Sequence, residues 1–205
     1  MHVPFTTLSV NDKIINVYVE YKSIKNIYAR FRDGVVYVTC RPSTSHKSIE
    51  AICQTLLKRL DCKGVLCVEP PVGEDFFYFF GKKERASRGF SEVRLDKMLK
   101  KQLISYLDER VEYYERIMGV TKAYKVGVRQ MKSRYASNSF LTHRLSFSLK
   151  LVHFSKQIID GVIVHELAHE FQRNHSRKFY EIVLNYYPHY RETDKLLKKG
   201  IYTYE

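Results

Sequence analysis

The sequence predicts an α+β fold in which a β-rich first part is followed by a helical part that carries the reactive residues. Three observations lead there. Apolar residues alternate with polar ones through much of the first forty positions, they recur at three- and four-residue spacing within 49–60 and 95–118, and the composition turns from strand-rich to helix-rich near residue 92. Two lobes are therefore expected, 1–92 and 93–205. No low-complexity linker separates them, so they are expected to share an interface as one continuous unit.

In the first lobe, Ile15, Val17 and Val19 alternate with polar neighbours, as do Ile27, Ala29 and Phe31. Asp33-Gly34 then precedes Val35-Val36-Tyr37-Val38, which is the signal of a tight hairpin. After the break Arg41 to Ser45, the residues Ile49, Ile52, Cys53, Leu56, Leu57 and Leu60 define an amphipathic helix. Val65 to Val68 reads as a short strand and Glu69 to Gly73 as a loop. Phe76 to Phe80 is rich in strand formers, and the basic tract Lys82 to Gly89 reads as a solvated loop.

In the second lobe, Leu95, Leu99, Leu103, Leu107, Val111, Tyr114 and Met118 mark a helix over 94–118, stopped by Gly119. Tyr124, Val126 and Val128 form one alternating strand, and Leu145, Phe147 and Leu149 another, with a polar, aperiodic stretch between them. Ser155 is placed to cap the next helix, whose apolar stripe includes Ile158, Ile159, Val162 and Ile163. Phe179, Ile182, Val183 and Tyr186 define another helix that stops before Pro188, and a last one runs from about Tyr190 to Lys199.

The chemistry lies in GVIVHELAHEFQRNHS, Gly161 to Ser176, where His165, Glu166 and His169 spell H-E-x-x-H. On a helix the i and i+4 side chains stack on one face, about 6 Å apart, so the two imidazoles can reach one metal ion. Zinc suits neutral imidazole nitrogens and accepts a tetrahedral site with one position left to water. Glu166, beside the first ligand, is the carboxylate that would take a proton from that water as it attacks an amide carbonyl. His175 follows ten residues after His165, and unbroken helix would carry it about 15 Å away. The helix must therefore end soon after His169, with Asn174 in a left-handed conformation as the expected stop and Ser176 as the next cap, so that a turn returns His175 as the third ligand.

A net charge of +13 favours an acidic partner, nucleic acid among them. Cys40, Cys53, Cys62 and Cys67 never form C-x-x-C, which excludes a redox pair or zinc ribbon and points to free buried thiols. The N-terminus lacks the marks of a signal peptide, and no stretch approaches 18 apolar residues, so a cytoplasmic protein without a membrane span is expected. His143 and His153 are expected to be structural. Asp160, turned about 140° from His165 on the helix, is expected to serve helix N-terminal charge stabilisation. Tyr187, His189 and Tyr190 follow the third ligand and are oxyanion-donor candidates by proximity in sequence alone.

HELAHEFQRNHSRKFYEIVLNYYPHY is similar to the signature of the YgjP-like metallopeptidases: HELAH, five residues, His-Ser, an aromatic pair and Pro-x-Tyr. It also resembles the SprT-like and WLM groups of gluzincin-type proteases. Upstream, Lys132 to Ser137 stands where the family has K-x-R-W-G-S-C, with Tyr135 for the tryptophan, Ala136 for the glycine and Asn138 for the cysteine. These departures bear on substrate fit rather than on zinc. The resemblance implies a zincin-like fold, Zn2+ held by His165, His169 and His175, Glu166 as catalytic carboxylate, and a protein or peptide substrate. Two rival readings are a protease brought by its basic excess to DNA-bound protein, and a non-catalytic binding module stabilised by the same zinc. A structural zinc normally has four protein ligands, and the sequence offers no obvious fourth.

Overall fold

Ile15, Val17 and Val19 share one face of a strand because side chains alternate along β-structure, and Val36, Val38 and Cys40 do the same on another. In the computed structural model, which describes residues 2–10, 13–32, 34–62, 70–73, 75–86, 92–131 and 133–204, these faces form the core of the first of two compact units, Met1–Pro70 and Pro71–Glu205. Four strands, β1 (Val3–Val10), β2 (Lys13–Tyr21), β3 (Tyr28–Arg32) and β4 (Val35–Cys40), make a sheet in the order β1-β2-β4-β3. β3 and β4 pair antiparallel, with Gly34 in the turn before β4; Asp33 of the expected Asp33-Gly34 signal lies outside the described residues. β4 lies between β2 and β3 and runs parallel to β2, with Val17 opposite Val36 and Val19 opposite Val38. Helix α1 (His46–Cys62) supplies Ile49, Cys53 and Leu57 to the same core. Cys40 and Cys53 are buried free thiols there, and Cys67 and the expected 65–68 strand lie outside the described residues.

The second unit is built on two helices. α2 (Glu92–Met118) buries the leucine stripe read from the sequence and ends at Gly119. α3 (Lys156–Ala168) is buried almost all round, as expected of a helix with few polar positions before its last turn. A three-stranded sheet of β7 (Lys125–Arg129), β8 (Ala136–Ser139) and β9 (Arg144–Ser148), in the order β7-β9-β8, contributes Leu145 and Phe147 to the same core, as do α4 (Arg177–Tyr186) and α5 (Tyr190–Lys199) through Phe179, Val183 and Leu197. Among the described residues no helix is long and apolar enough to cross a membrane.

The division at Pro70 and Pro71 precedes the composition change near residue 92. The hairpin of β5 (Phe76–Phe79) and β6 (Lys82–Arg85) belongs to the second unit, where Phe80 and Gly81 donate backbone N–H bonds to Val152 and His153. The basic tract is thus a strand over Lys82–Arg85 rather than a loop, and its positions 87–89 lie outside the described residues. Phe80 and Gly81 both have positive φ, 46° and 81°, which is the backbone of a type I′ hairpin turn; such a turn can set charged residues into a strand whatever their propensity. β8 falls in the stretch read as aperiodic. Its sequence, ASNS, has no strand preference, and it is a strand by pairing with β9. Leu149 opens a 3-10 helix, Leu149–His153, instead of extending β9, with Ser148 as its cap.

Asp160 does more than offset a helix dipole. It accepts hydrogen bonds from Tyr106 Oη (2.7 Å), Arg110 Nη2 (2.7 Å) and Tyr114 Oη (3.2 Å), three residues on one face of α2. Burial, with the Asp160 charge behind it, pushes the Tyr114 hydroxyl up to about 12. Asp160→Ala leaves Arg110 half-buried without its carboxylate and the Tyr114 hydroxyl without its acceptor, while Tyr106 keeps only the 3.3 Å bond to the Lys156 carbonyl. A loss of about 2–4 kcal/mol is expected in chemical denaturation. A change below about 0.5 kcal/mol would show that the pair does not join the two helices.

Candidate metal centre

The last turn of α3 presents His165 and Glu166, and the helix ends at Ala168 with His169 as its C-terminal cap. The helix thus ends at the second histidine, as the return of His175 requires, and does so before the Arg173-Asn174 pair read as a possible stop. Glu170, Phe171 and Gln172 donate to the carbonyls of Leu167 and Ala168 in tightened turns, while His169 keeps right-handed backbone and Asn174 is not among the residues of positive φ. The connection then brings His175 back just before α4. Ser155 and Ser176 sit at the N-cap positions read from the sequence, but neither hydroxyl makes a capping hydrogen bond.

Three imidazoles converge as a result. The ligating atoms of His165, His169 and His175 lie within 4.8 Å of one another, and Nε2 of His165 and Nε2 of His175 are 3.1 Å apart. Two nitrogens bound tetrahedrally at about 2.0–2.1 Å stand about 3.3 Å apart, close to the separation of the His165 and His175 nitrogens. Outer partners hold two of the rings. Nδ1 of His165 lies 2.7 Å from Tyr190 Oη, and Nδ1 of His169 lies 3.2 Å from the Gln172 carbonyl oxygen, which turns both Nε2 atoms toward the centre. Burial and then the neighbouring imidazoles hold His165 down to about 3, and burial also lowers His169, so both are neutral lone-pair donors at pH 7. The donor set fits zinc. Among the described residues no fourth histidine, cysteine or carboxylate joins the group.

Glu166 is 8% exposed, and burial raises its carboxyl to about 7 against the opposing pull of Arg134. Its backbone carbonyl accepts from Asn138 Nδ2 at 2.8 Å, which ties β8 to the end of α3. Phe179, fully buried on α4, touches all three imidazoles with ring centroids 4.7–4.9 Å away and forms an apolar floor under them. Gly161 lets α5 approach α3, because a Cβ there would stand 2.8 Å from Thr193 Oγ1.

The structure brings His165, His169 and His175 together, with Glu166 following His165 on the same helix, while no local spacing in the sequence points to Tyr190, Phe179, Asn138 and Arg134 around them. Tyr190 stands behind His165, on its Nδ1 side, and the Tyr187 hydroxyl is committed as donor to the Gln157 carbonyl. The one signal that could have found Tyr190 is its place in the Pro-x-Tyr step after the third histidine. His143 and His153 stay apart from the metal group; Nδ1 of His153 pairs with the Tyr78 carbonyl at 2.7 Å. Tyr190→Phe keeps the packing and removes the partner of His165, and is expected to weaken zinc binding about 10–100-fold in competition with a chelator. Unchanged affinity would mean that the hydroxyl does not orient the ring.

Residues 79–200 match the family model of the YgjP-like metallopeptidase domain. No curated protein matches the chain. Among solved structures, the metallopeptidase zymogen jannalysin of Methanocaldococcus jannaschii is similar at 26% identity over 46% of this chain and 97% of that one, with a TM-score of 0.42. The metallopeptidase zymogen abylysin of Pyrococcus abyssi is similar at 23% identity over 45% and 93%, also with a TM-score of 0.42.

Proposed function

The chain belongs to the YgjP-like metallopeptidase family, and from that membership we propose that it hydrolyses peptide bonds with one zinc ion held by His165, His169 and His175 and with Glu166 as general base. It is a metallopeptidase, a hydrolase acting on protein or peptide. The observation that carries the finer reading is the convergence of three imidazoles next to a buried carboxylate.

Zinc, when bound, supplies a Lewis acid that polarises the scissile carbonyl and acidifies water. The protein supplies the rest. Glu166 takes a proton from the attacking water at a carboxylate oxygen while the water oxygen bonds to the carbonyl carbon. It passes that proton to the amine nitrogen as the carbon–nitrogen bond breaks, which leaves a carboxylic acid and an amine. In the metal-free protein burial raises this carboxyl to about 7, and beside bound zinc the carboxylate form that accepts the proton is favoured. Arg134 makes no ion pair among the described residues and lies close enough to act on Glu166; it is the cation assigned to the developing oxyanion. The absence of a fourth protein ligand among the described residues favours this open site over a closed, structural zinc.

The test is removal and return of the metal. Unfolded protein substrates should be cut by the zinc-loaded chain, left intact after chelation and cut again on stoichiometric zinc. Cleavage that survives full chelation would overturn the reading.

A further inference from the structure

We propose that the cavity beside the metal centre is a specificity pocket that takes one bulky apolar side chain of the peptide, from a residue flanking the scissile bond. The inference rests on the peptidase reading above. The cavity is continuous with the centre, because His165 and Glu166 form part of its wall. Its volume is about 230 Å³. That is below the roughly 300–1,000 Å³ of pockets that take whole small-molecule ligands, and above the ~150 Å³ in which a buried apolar cavity already holds a benzene ring. One leucine, methionine or phenylalanine side chain is the matching guest.

The chemistry of the wall selects for the same class. Ala136 on β8, Ile158 and Val162 on α3 and Leu197 on α5 present apolar surface. The polar groups of the α5 wall are committed elsewhere: Thr193 Oγ1 donates to the carbonyls of Tyr190 and of the α5 cap His189, Asp194 is paired with Lys198 at 2.6 Å, and Tyr190 Oη engages His165. On that wall a polar guest would leave water and find few free partners, and the cation of the lining, Arg134, already acts on Glu166. An acidic guest would also lie against Glu166. Because a pocket of this kind reads substrates by methylenes, a preference of at least about tenfold in kcat/KM is expected for bulky apolar residues over glycine and aspartate next to the cleaved bond.

The experiment maps cleavage sites in an unfolded protein and a peptide library with the zinc-loaded full chain, for wild type, Val162→Phe, Ala136→Leu and Leu197→Ala, with zinc content measured on each. None of these residues is a ligand or proton carrier. The two filling variants should shift preference at least about tenfold toward glycine, alanine and serine while keeping zinc and the cleavage of small-residue peptides. Leu197→Ala enlarges the cavity and should favour aromatic guests; it keeps the test open if a filling variant fails to fold. Active, zinc-loaded variants whose preference matches wild type would overturn this inference alone, as would a wild-type preference for a charged residue. No cleavage at all by zinc-loaded wild type would overturn the peptidase reading and this inference with it.

Discussion

Glu166→Gln is expected to lower kcat by about 10²–10⁴-fold while the protein retains one zinc per chain. Glutamine has the shape of the carboxylate and cannot take the proton. Asn138 holds the backbone carbonyl of Glu166 rather than its carboxyl group, a contact that the substitution leaves in place. The substitution should even stabilise the metal-free protein at neutral and alkaline pH. Burial raises the Glu166 pKa to about 7 from the usual 4.5, so between those values the folded state binds more protons than the unfolded one, and stability falls as pH rises through that window. The fall is on the order of 2–3 kcal/mol at one unit per 1.36 kcal/mol. The variant lacks it, which denaturation of the stripped proteins at pH 4.5 and pH 8 would read. Turnover equal to wild type would remove Glu166 from the mechanism.

His175→Ala is expected to cost zinc affinity at least about 10³-fold, beyond the 10–100-fold that an outer partner costs, with little loss of stability. The side chain is exposed and comes from the connection between α3 and α4, so its removal opens no core cavity. Its ring meets the other imidazoles, Phe179 and Tyr180. Hydrolysis should disappear at limiting zinc and return in part at excess. Chelator competition reads the affinity, and a wild-type value would make His165 and His169 the whole site.

The convergence of the three histidines was legible because they sit within ten residues of one another, where helical spacing and the need for a turn suffice to place them. What holds the centre was not. Tyr190 reaches His165 across 25 positions, and Asn138 reaches Glu166 across 28. No local period records such contacts. Strands β6 and β8 failed for a related reason, since KKER and ASNS are strands through a hairpin turn and a neighbour's ladder rather than through their own side chains. Asp160 shows the same limit. Its angle from His165 was readable from helix geometry, whereas Tyr106, Arg110 and Tyr114, which wait on that side, belong to a helix some fifty residues earlier.

The most direct test of the three-histidine zinc and its open position is an anomalous-scattering map of the crystallised protein, collected on both sides of the zinc edge. One peak is expected, bonded by Nε2 of His165, His169 and His175, with no fourth protein atom in its coordination sphere. A fourth protein ligand, or no peak in protein that had never met a chelator, would contradict it and turn the centre into a structural site or a relic.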